Sequence, residues 1–337
     1  MHIAVDARFA VLDQRGIGRY TRTLIARLRA DADLQLTFVA PGLLAPRGRI
    51  AAALGVTRDS VGGRISRTAD VVWSPSNGTD LVTALPCVTT VHDVAPLAFP
   101  AADPFVRERE TAPLLRTAQR ARRVLADSGY MAGEIVRVLG VPADRVSVAP
   151  LGVGPTFCAA GARYALADGR PYVLHVGAHD VRKNTPTLIA AWQRAFPDAR
   201  VALAFTRSPD VLPAGAVVID APTDERLAEF YRGAHAVAVP SLDEGFGLPL
   251  LEALACGAST AAARVAALPE VGGDAVAWVD DVTSVEAWAR VLTLLVLGRG
   301  AAAALAARGP VQAAAFTWER CAALTRDVFR QAVEDGV

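Results

Sequence analysis

Lysine is almost missing from this sequence of 337 residues: of its 35 basic side chains only Lys183 is a lysine, and the rest are arginine. Wherever a diffuse positive charge suffices, the chain uses arginine. The single ammonium therefore marks a position that needs a compact point charge with three rotatable donors, which a planar guanidinium does not imitate. Net charge is nearly absent as well, at +1, so no global field draws the chain to nucleic acid or to an anionic bilayer, and charge-driven binding has to come from a local patch. The four cysteines, Cys87, Cys158, Cys256 and Cys321, are scattered and form no C-x-x-C pair. That excludes the usual zinc and disulfide patterns and fits reduced thiols in a cytoplasmic protein, with no structural metal expected. No apolar run approaches the roughly 20 residues that span a bilayer. The opening stretch MHIAVDARFA carries Asp6 and Arg8 within its apolar run and reads as a first strand, not as a secretory signal.

Hydrophobic residues make up 52% of the chain, enough for two packed cores, because single cores stop growing below this length. Short β-branched or apolar runs alternate with helical patterns: 2–6, 36–40, 71–75, 87–93, 123–127 and 146–153 in the first half, then 172–177, 201–205, 216–220, 236–241 and 275–280 in the second. The spacing predicts an α/β fold of two doubly wound, parallel-sheet (Rossmann-like) domains. A stretch rich in Gly and Ala, 159–169, reads as the linker. The domains are therefore expected at 1–158 and 159–317, facing across a cleft that holds the active site. The terminal segment sets Trp318, Cys321, Leu324, Val328 and Phe329 at helical spacing. It predicts an amphipathic helix over 318–337, whose partner surface the spacing does not give.

Two segments carry the chemistry. In PSLDEGFGLPLLEALACG (240–257), Gly245 and Gly247 free the backbone to present N–H groups just before Pro249 opens a helix, and such a helix start attracts anions. Glu244 in the loop and Glu252 in the helix approach one pocket from different elements, although a capping role for the first and a solvated position for the second would fit the same pattern. In GAHDVRKN (177–184), Arg182 and Lys183 stand at another strand-to-helix turn, where a diphosphate would meet two cations and a helix dipole.

These two segments, with the GIGRY loop (16–20), TVHDVAPLAFP (90–100), ADSGYMAGEIVRVLGVPADRVSVAPLGV (126–153), ALPEVGGDA (267–275) and FTWERCA (316–322), resemble retaining glycosyltransferase family 4, of the GT-B fold, over nearly the whole chain. The resemblance implies that Lys183 and Arg182 hold the diphosphate of a nucleotide-sugar donor and that Glu252 binds its ribose. Glu244 would stand beside the donor sugar, and the backbone N–H groups of Phe246, Gly247 and Leu248 would contact sugar and phosphates. The Gly16–Gly18 loop would close over the diphosphate, with His92 near the transferred sugar. Arg207 and the segment 219–234 are expected near the base, and His175 and His179 flank the phosphate loop as weaker candidates. Many relatives place an arginine soon after the loop glycine, whereas this chain has Ala178 and His179, a departure that bears on the source of the second cation.

The resemblance further implies transfer of a hexosyl group without a metal or other cofactor, with mannose from GDP-mannose the closest match in motifs. The acceptor would be a saccharide, a lipid-linked molecule or a small molecule, with no nucleic-acid partner. Arginines between 105 and 123 read as one basic helix, either a solvated face or a peripheral membrane contact. A catalytically silent nucleotide-sugar-binding subunit and a nucleotide-sugar epimerase are the alternative readings. A nicotinamide oxidoreductase is disfavoured because GIGRYT lacks the third glycine and the tight turn of the dinucleotide fingerprint.

Overall fold

The computed structural model describes residues 1–11, 16–42, 44–78, 81–179, 181–221 and 223–335. The chain divides into two units, Met1–Gly152 with Trp318–Val337, and Val153–Thr317. The first is built on seven strands, β1 (His2–Asp6), β2 (Gln35–Val39), β3 (Val61–Gly62), β4 (Val71–Ser74), β5 (Cys87–Val91), β6 (Arg123–Ala126) and β7 (Val146–Val148), ordered β3-β2-β1-β4-β5-β6-β7. All its pairings are parallel. The second has six, β8 (Tyr172–His175), β9 (Ala202–Phe205), β10 (Val217–Val218), β11 (Ala236–Val239), β12 (Thr260–Ala263) and β13 (Val276–Val279), in the order β10-β9-β8-β11-β12-β13. Its pairings are parallel too. In each unit the order reverses beside the first strand, between β1 and β4 and between β8 and β11, and the carboxyl ends of those strands are where doubly wound sheets bind ligands.

The strands are apolar on both faces because helices cover both sides. In the first unit the helix Ile17–Arg29 turns Tyr20, Leu24 and Leu28 inward, and the tyrosine hydroxyl meets the Thr90 hydroxyl at 3.0 Å. Trp73 in β4 donates its indole N–H to the same Thr90 oxygen and packs edge-on against Phe329, so both buried polar groups are satisfied. Phe329 belongs to the terminal helix Trp318–Glu334, which lies in the first unit, the crossing back to the first domain that the family resemblance implies, and has Arg27–Glu319 and Arg123–Asp335 ion pairs there. Gly336 and Val337, the end of the expected helix, lie outside the described residues. The second core holds Trp192, Trp288, Phe205 and Phe230, with the indole N–H groups of Trp192 and Trp288 donated to the Val201 and Val282 carbonyls.

Three details differ from the sequence reading. β12 is built from Thr260-Ala-Ala-Ala, which has one β-branched residue and no strand signature; it pairs on both sides and is fully buried, so tertiary pairing overrides a weak propensity. The basic helix ends at Arg120, because Ala121 turns extended and the Arg122 amide bonds to the Cys87 carbonyl, which leaves Arg122 and Arg123 off the helix. Residues 153–158 go with the second unit rather than the first: the Val153 amide bonds to the Phe316 carbonyl, and Arg232 reaches back to the Cys158 and Ala162 carbonyls.

Candidate functional site

The reversal point of the second sheet gathers the unusual residues of the sequence. β8 ends at His175; the chain turns at Gly177, forms a short 3-10 turn over Val181–Lys183, and passes through Asn184 into the helix Thr185–Ala195. Asp180, within the same motif, lies outside the described residues. Asn184 adopts a left-handed conformation (φ 51°), which asparagine tolerates better than most residues. Its side-chain amide donates to the Pro240 and Val282 carbonyls and so straps this turn to the loops after β11 and β13. That loop runs Ser241-Leu-Asp-Glu-Gly-Phe to Gly247, the residue before the helix Leu248–Ala255. Gly247 sits at φ 103°, and a Cβ there would lie 2.6 Å from Leu268 Cδ2, so both conformation and space demand glycine.

Glu244 is buried at the centre of this arrangement. Its Oε1 accepts from the Lys183 ammonium and from the Ser241 hydroxyl at 2.7 Å, and its Oε2 accepts from Arg182 at 3.1 Å. Arg182 also donates to the Asp243 carbonyl at 2.9 Å. Burial alone would raise the Glu244 carboxyl, but the charges of Lys183 and Arg182 with the bonds from Lys183 and Ser241 outweigh it and hold the group below the usual glutamate range. Two cations, Lys183 and Arg182, thus meet on the Glu244 carboxylate at the carboxyl ends of the strands. The departure at Ala178 and His179 therefore coincides with a second cation from Arg182.

His175, behind this cluster, is pushed down to about 4 by burial and by neighbouring Lys183 and His179, although the Ala238 carbonyl on Nδ1 opposes the shift. It is neutral at pH 7, and its Nε2 is buried without a hydrogen-bond partner. His179 is held by the Thr185 hydroxyl and by the Arg207 carbonyl at 2.7 Å, so Arg207 touches this loop through its backbone. Glu252 is buried in the helix and accepts from the Tyr231 hydroxyl at 3.0 Å. Phe246 is buried edge-on against Phe316. The backbone N–H groups of Phe246, Gly247 and Leu248 make no hydrogen bond to an acceptor among the described residues.

The first unit treats its strand ends differently. At the end of β1 the buried Asp6 carboxylate takes a two-pronged grip on Arg8, at 2.9 and 2.7 Å. His92, just past β5, uses both ring nitrogens: Nδ1 lies 2.7 Å from Asp127 Oδ2, beyond β6, and Nε2 lies 3.1 Å from the Pro75 carbonyl, beyond β4. Burial pulls the His92 imidazole down, but Asp127 and the Pro75 carbonyl pull harder and raise it above the ordinary histidine value. The His92 amide also bonds to the Asn77 side chain at 2.7 Å. Asp127 and Ser241 escape sequence reasoning. An acid directly after a strand, and a serine three residues before a loop glutamate, are the signals that mark them. Gly16 and Gly18 open the helix Ile17–Arg29, with the Gly16 carbonyl accepting from the Tyr20 amide. Among the described residues no group of three or more His, Cys, Asp or Glu is placed to hold a metal, and no single helix is long and apolar enough to cross a membrane.

Tandem doubly wound sheets with a cationic turn at a reversal point define the GT-B class of glycosyltransferases. Two family profiles match, one described as Glycosyltransferase Family 4 over residues 65–157 and one as Glycosyl transferases group 1 over 215–311, together more than half of the chain. The O-antigen chain mannosyltransferase B of Escherichia coli is 29% identical over 72% of this chain and 70% of its own length. Among solved structures, the sucrose-phosphate synthase of Thermosynechococcus elongatus superposes with a TM-score of 0.72 at 18% identity, covering 98% of both chains. HepE of Anabaena, solved in complex with UDP and glucose, gives 0.67 at 14% identity over 97% of this chain and 98% of its own. The chain belongs to glycosyltransferase family 4 with the GT-B fold, and it is a glycosyltransferase.

Proposed function

We propose that the chain transfers a hexosyl group, with mannose from GDP-mannose as the preferred donor, to an acceptor hydroxyl with retention of anomeric configuration, in polysaccharide or glycolipid assembly in the cytoplasm. The observation that carries this reading is the Lys183, Arg182 and Glu244 cluster at the β8/β11 reversal point. Breaking a glycosyl phosphate bond builds negative charge on the leaving diphosphate. Cations fixed there before the reaction stabilise the transition state more than the ground state. Lys183 carries most of that role, with Arg182 as the second cation and Glu244 holding both in place beside the sugar. The ammonium has three donors, so it can keep Glu244 and still donate to a phosphate oxygen. The N–H groups of Phe246, Gly247 and Leu248 supply further donors to phosphate and sugar, Glu252 takes the ribose, and Arg207 flanks the base. The Gly16–Gly18 turn is assigned to the diphosphate.

The step balances without a cofactor. The bond between the anomeric carbon and the diphosphate oxygen breaks, the acceptor oxygen bonds to that carbon on the same face, and the acceptor proton passes to the departing phosphate. His92 contributes position rather than proton transfer in this reading, since both of its ring nitrogens are committed. With cations supplied by side chains, transfer proceeds in the presence of a chelator. The similarity to a mannosyltransferase supports mannose. Nucleoside diphosphate release from GDP-mannose, UDP-glucose and ADP-glucose in EDTA, followed by NMR of the product linkage, tests the reading. GDP release with an α-linked product is expected. Release that requires a divalent ion, or an inverted product, would contradict it.

A further inference from the structure

The first unit contains a cavity of about 990 Å³ that shares Ile17 with the turn assigned to the donor diphosphate and is otherwise lined by residues the donor reading does not use. It opens at the β1/β4 reversal point, between Arg8 and Phe9 after β1, the Asn77-Gly78 turn after β4, and the helix Pro104–Arg120, which contributes Phe105 and Arg116. Its wall is well set. Gly78, at φ 131°, packs so closely on the Pro113 carbonyl that a Cβ would collide with the backbone there. Asn77 accepts the His92 amide, and the His92 ring in turn holds the Pro75 carbonyl.

The charges lining this cavity are not equally satisfied. Arg8 is matched by the buried Asp6 carboxylate, and Arg109 lies 3.9 Å from Glu110. Glu108 and Glu110 are exposed at the rim, where water solvates them. Arg116 is different: it is half-buried, its Nε is buried with no hydrogen-bond partner, and no carboxylate among the described residues pairs with it. The Nε is closed off from the cavity, so what Arg116 offers a ligand there is the rest of its planar fork, which matches a phosphate better than a hydroxyl.

The geometry points to an acceptor that carries a phosphate ester, its anionic oxygens on Arg116 and its apolar or sugar portion along Phe9, Phe105 and the Asn77-Gly78 turn. This names the acceptor class for the transferase read above and rests on that reading for the reaction, but not for binding. A soluble sugar phosphate and a lipid-linked phosphodiester share the chemistry, and the probes below separate them.

The full chain is titrated by calorimetry with glucose 1-phosphate, methyl α-glucoside and the short-chain lipid dihexanoylphosphatidate, each in the presence of saturating GDP so that the second unit is occupied. Either phosphate should bind about tenfold or more tighter than the glucoside. Arg116→Gln should abolish that preference, Arg116→Lys should restore part of it, and Arg120→Gln should leave it unchanged. Glucose 1-phosphate binding at least as tightly as the lipid identifies a soluble acceptor, and the reverse order a lipid-linked one. Lys183→Ala should lose GDP binding and keep phosphate binding, which makes failure of the donor reading distinguishable from failure of this one. Glucoside binding equal to that of both phosphates, or phosphate binding unaltered in folded Arg116→Gln, overturns the assignment.

Discussion

At the strand ends of the first sheet each of the two buried acids among the described residues faces a base: Asp6 grips Arg8, and one oxygen of Asp127 holds His92. At the equivalent point of the second sheet one carboxylate, Glu244, faces both Lys183 and Arg182. The two sheets share a strand order, so the topology alone does not set this contrast. Matched pairs close a framework: His92 ties the ends of β4, β5 and β6 together through Pro75, its own position and Asp127. Two cations on one carboxylate gather positive groups at a single turn. The lesson is that equivalent strand-end loops in tandem doubly wound units share a topology and differ in which charged side chains their sequences bring together there.

The sharpest way to break this contrast is to remove one of the two cations. Lys183→Ala should lower turnover by about 100- to 1000-fold, the range seen when one preorganised donor to developing negative charge is removed; steady-state kinetics read the loss, and a melting curve shows the fold retained. Near-normal turnover would mean that the cluster is structural only. The next test uses pH. His175, at about 4 when folded, stays neutral while the unfolded side chain, near 6.5, takes up a proton. Stability should therefore fall as pH drops from about 6.5 toward 4, by up to about 3 kcal/mol. Glu244 adds to the same acid side: its folded pKa is depressed, so its contribution is present above the unfolded value near 4.3 and is lost as pH falls through the folded one. His175→Gln should flatten the limb between about 6.5 and 4 and leave the more acid one. An unchanged limb by chemical denaturation would place the sensitivity elsewhere.

His92 has the opposite sign. Its folded pKa is raised, so its contribution is fully present below about 6.5 and fades as pH rises through the folded value. Asp127→Asn should cost about 2 kcal/mol at pH 6, the scale of a hydrogen bond to a charged group, and remove this alkaline-side loss. Denaturation curves at pH 6 and 8.5 measure both; an alkaline-side loss that persists in the variant would detach His92 from it. At the small end, the Arg27–Glu319 pair of the first unit is largely exposed on its acidic side, and Glu319→Ala should change stability by less than about 0.5 kcal/mol. A larger loss would show that the terminal helix depends on that pair rather than on its buried Trp318, Val328 and Phe329 face.

Much of this architecture is legible in the sequence wherever a buried strand needs β-branched residues, as in β1, β4 and β5. It fades where packing substitutes for propensity. β12 is nearly all alanine because neighbouring strands and covering helices determine it. Lys183 stands out through composition and Glu244 through its place before a Gly-Phe-Gly turn, yet the bond between them joins residues 61 positions apart, which only the crossover between β8 and β11 brings together. Asp127 is marked only as an acid directly after a strand, since its meaning lies in the histidine that another strand delivers to it. Glu252 was legible as half of a spaced pair, but its contact with Tyr231 depends on how two helices meet.

In the proposed reading Lys183 and Arg182 together receive a nucleoside diphosphate. The direct test is calorimetric titration of GDP and UDP into the full chain in EDTA, with Lys183→Ala alongside. The account predicts one-site binding with a preference for GDP that the variant weakens about 100-fold or more. Equal affinity of the parent chain and the folded variant for GDP would contradict it.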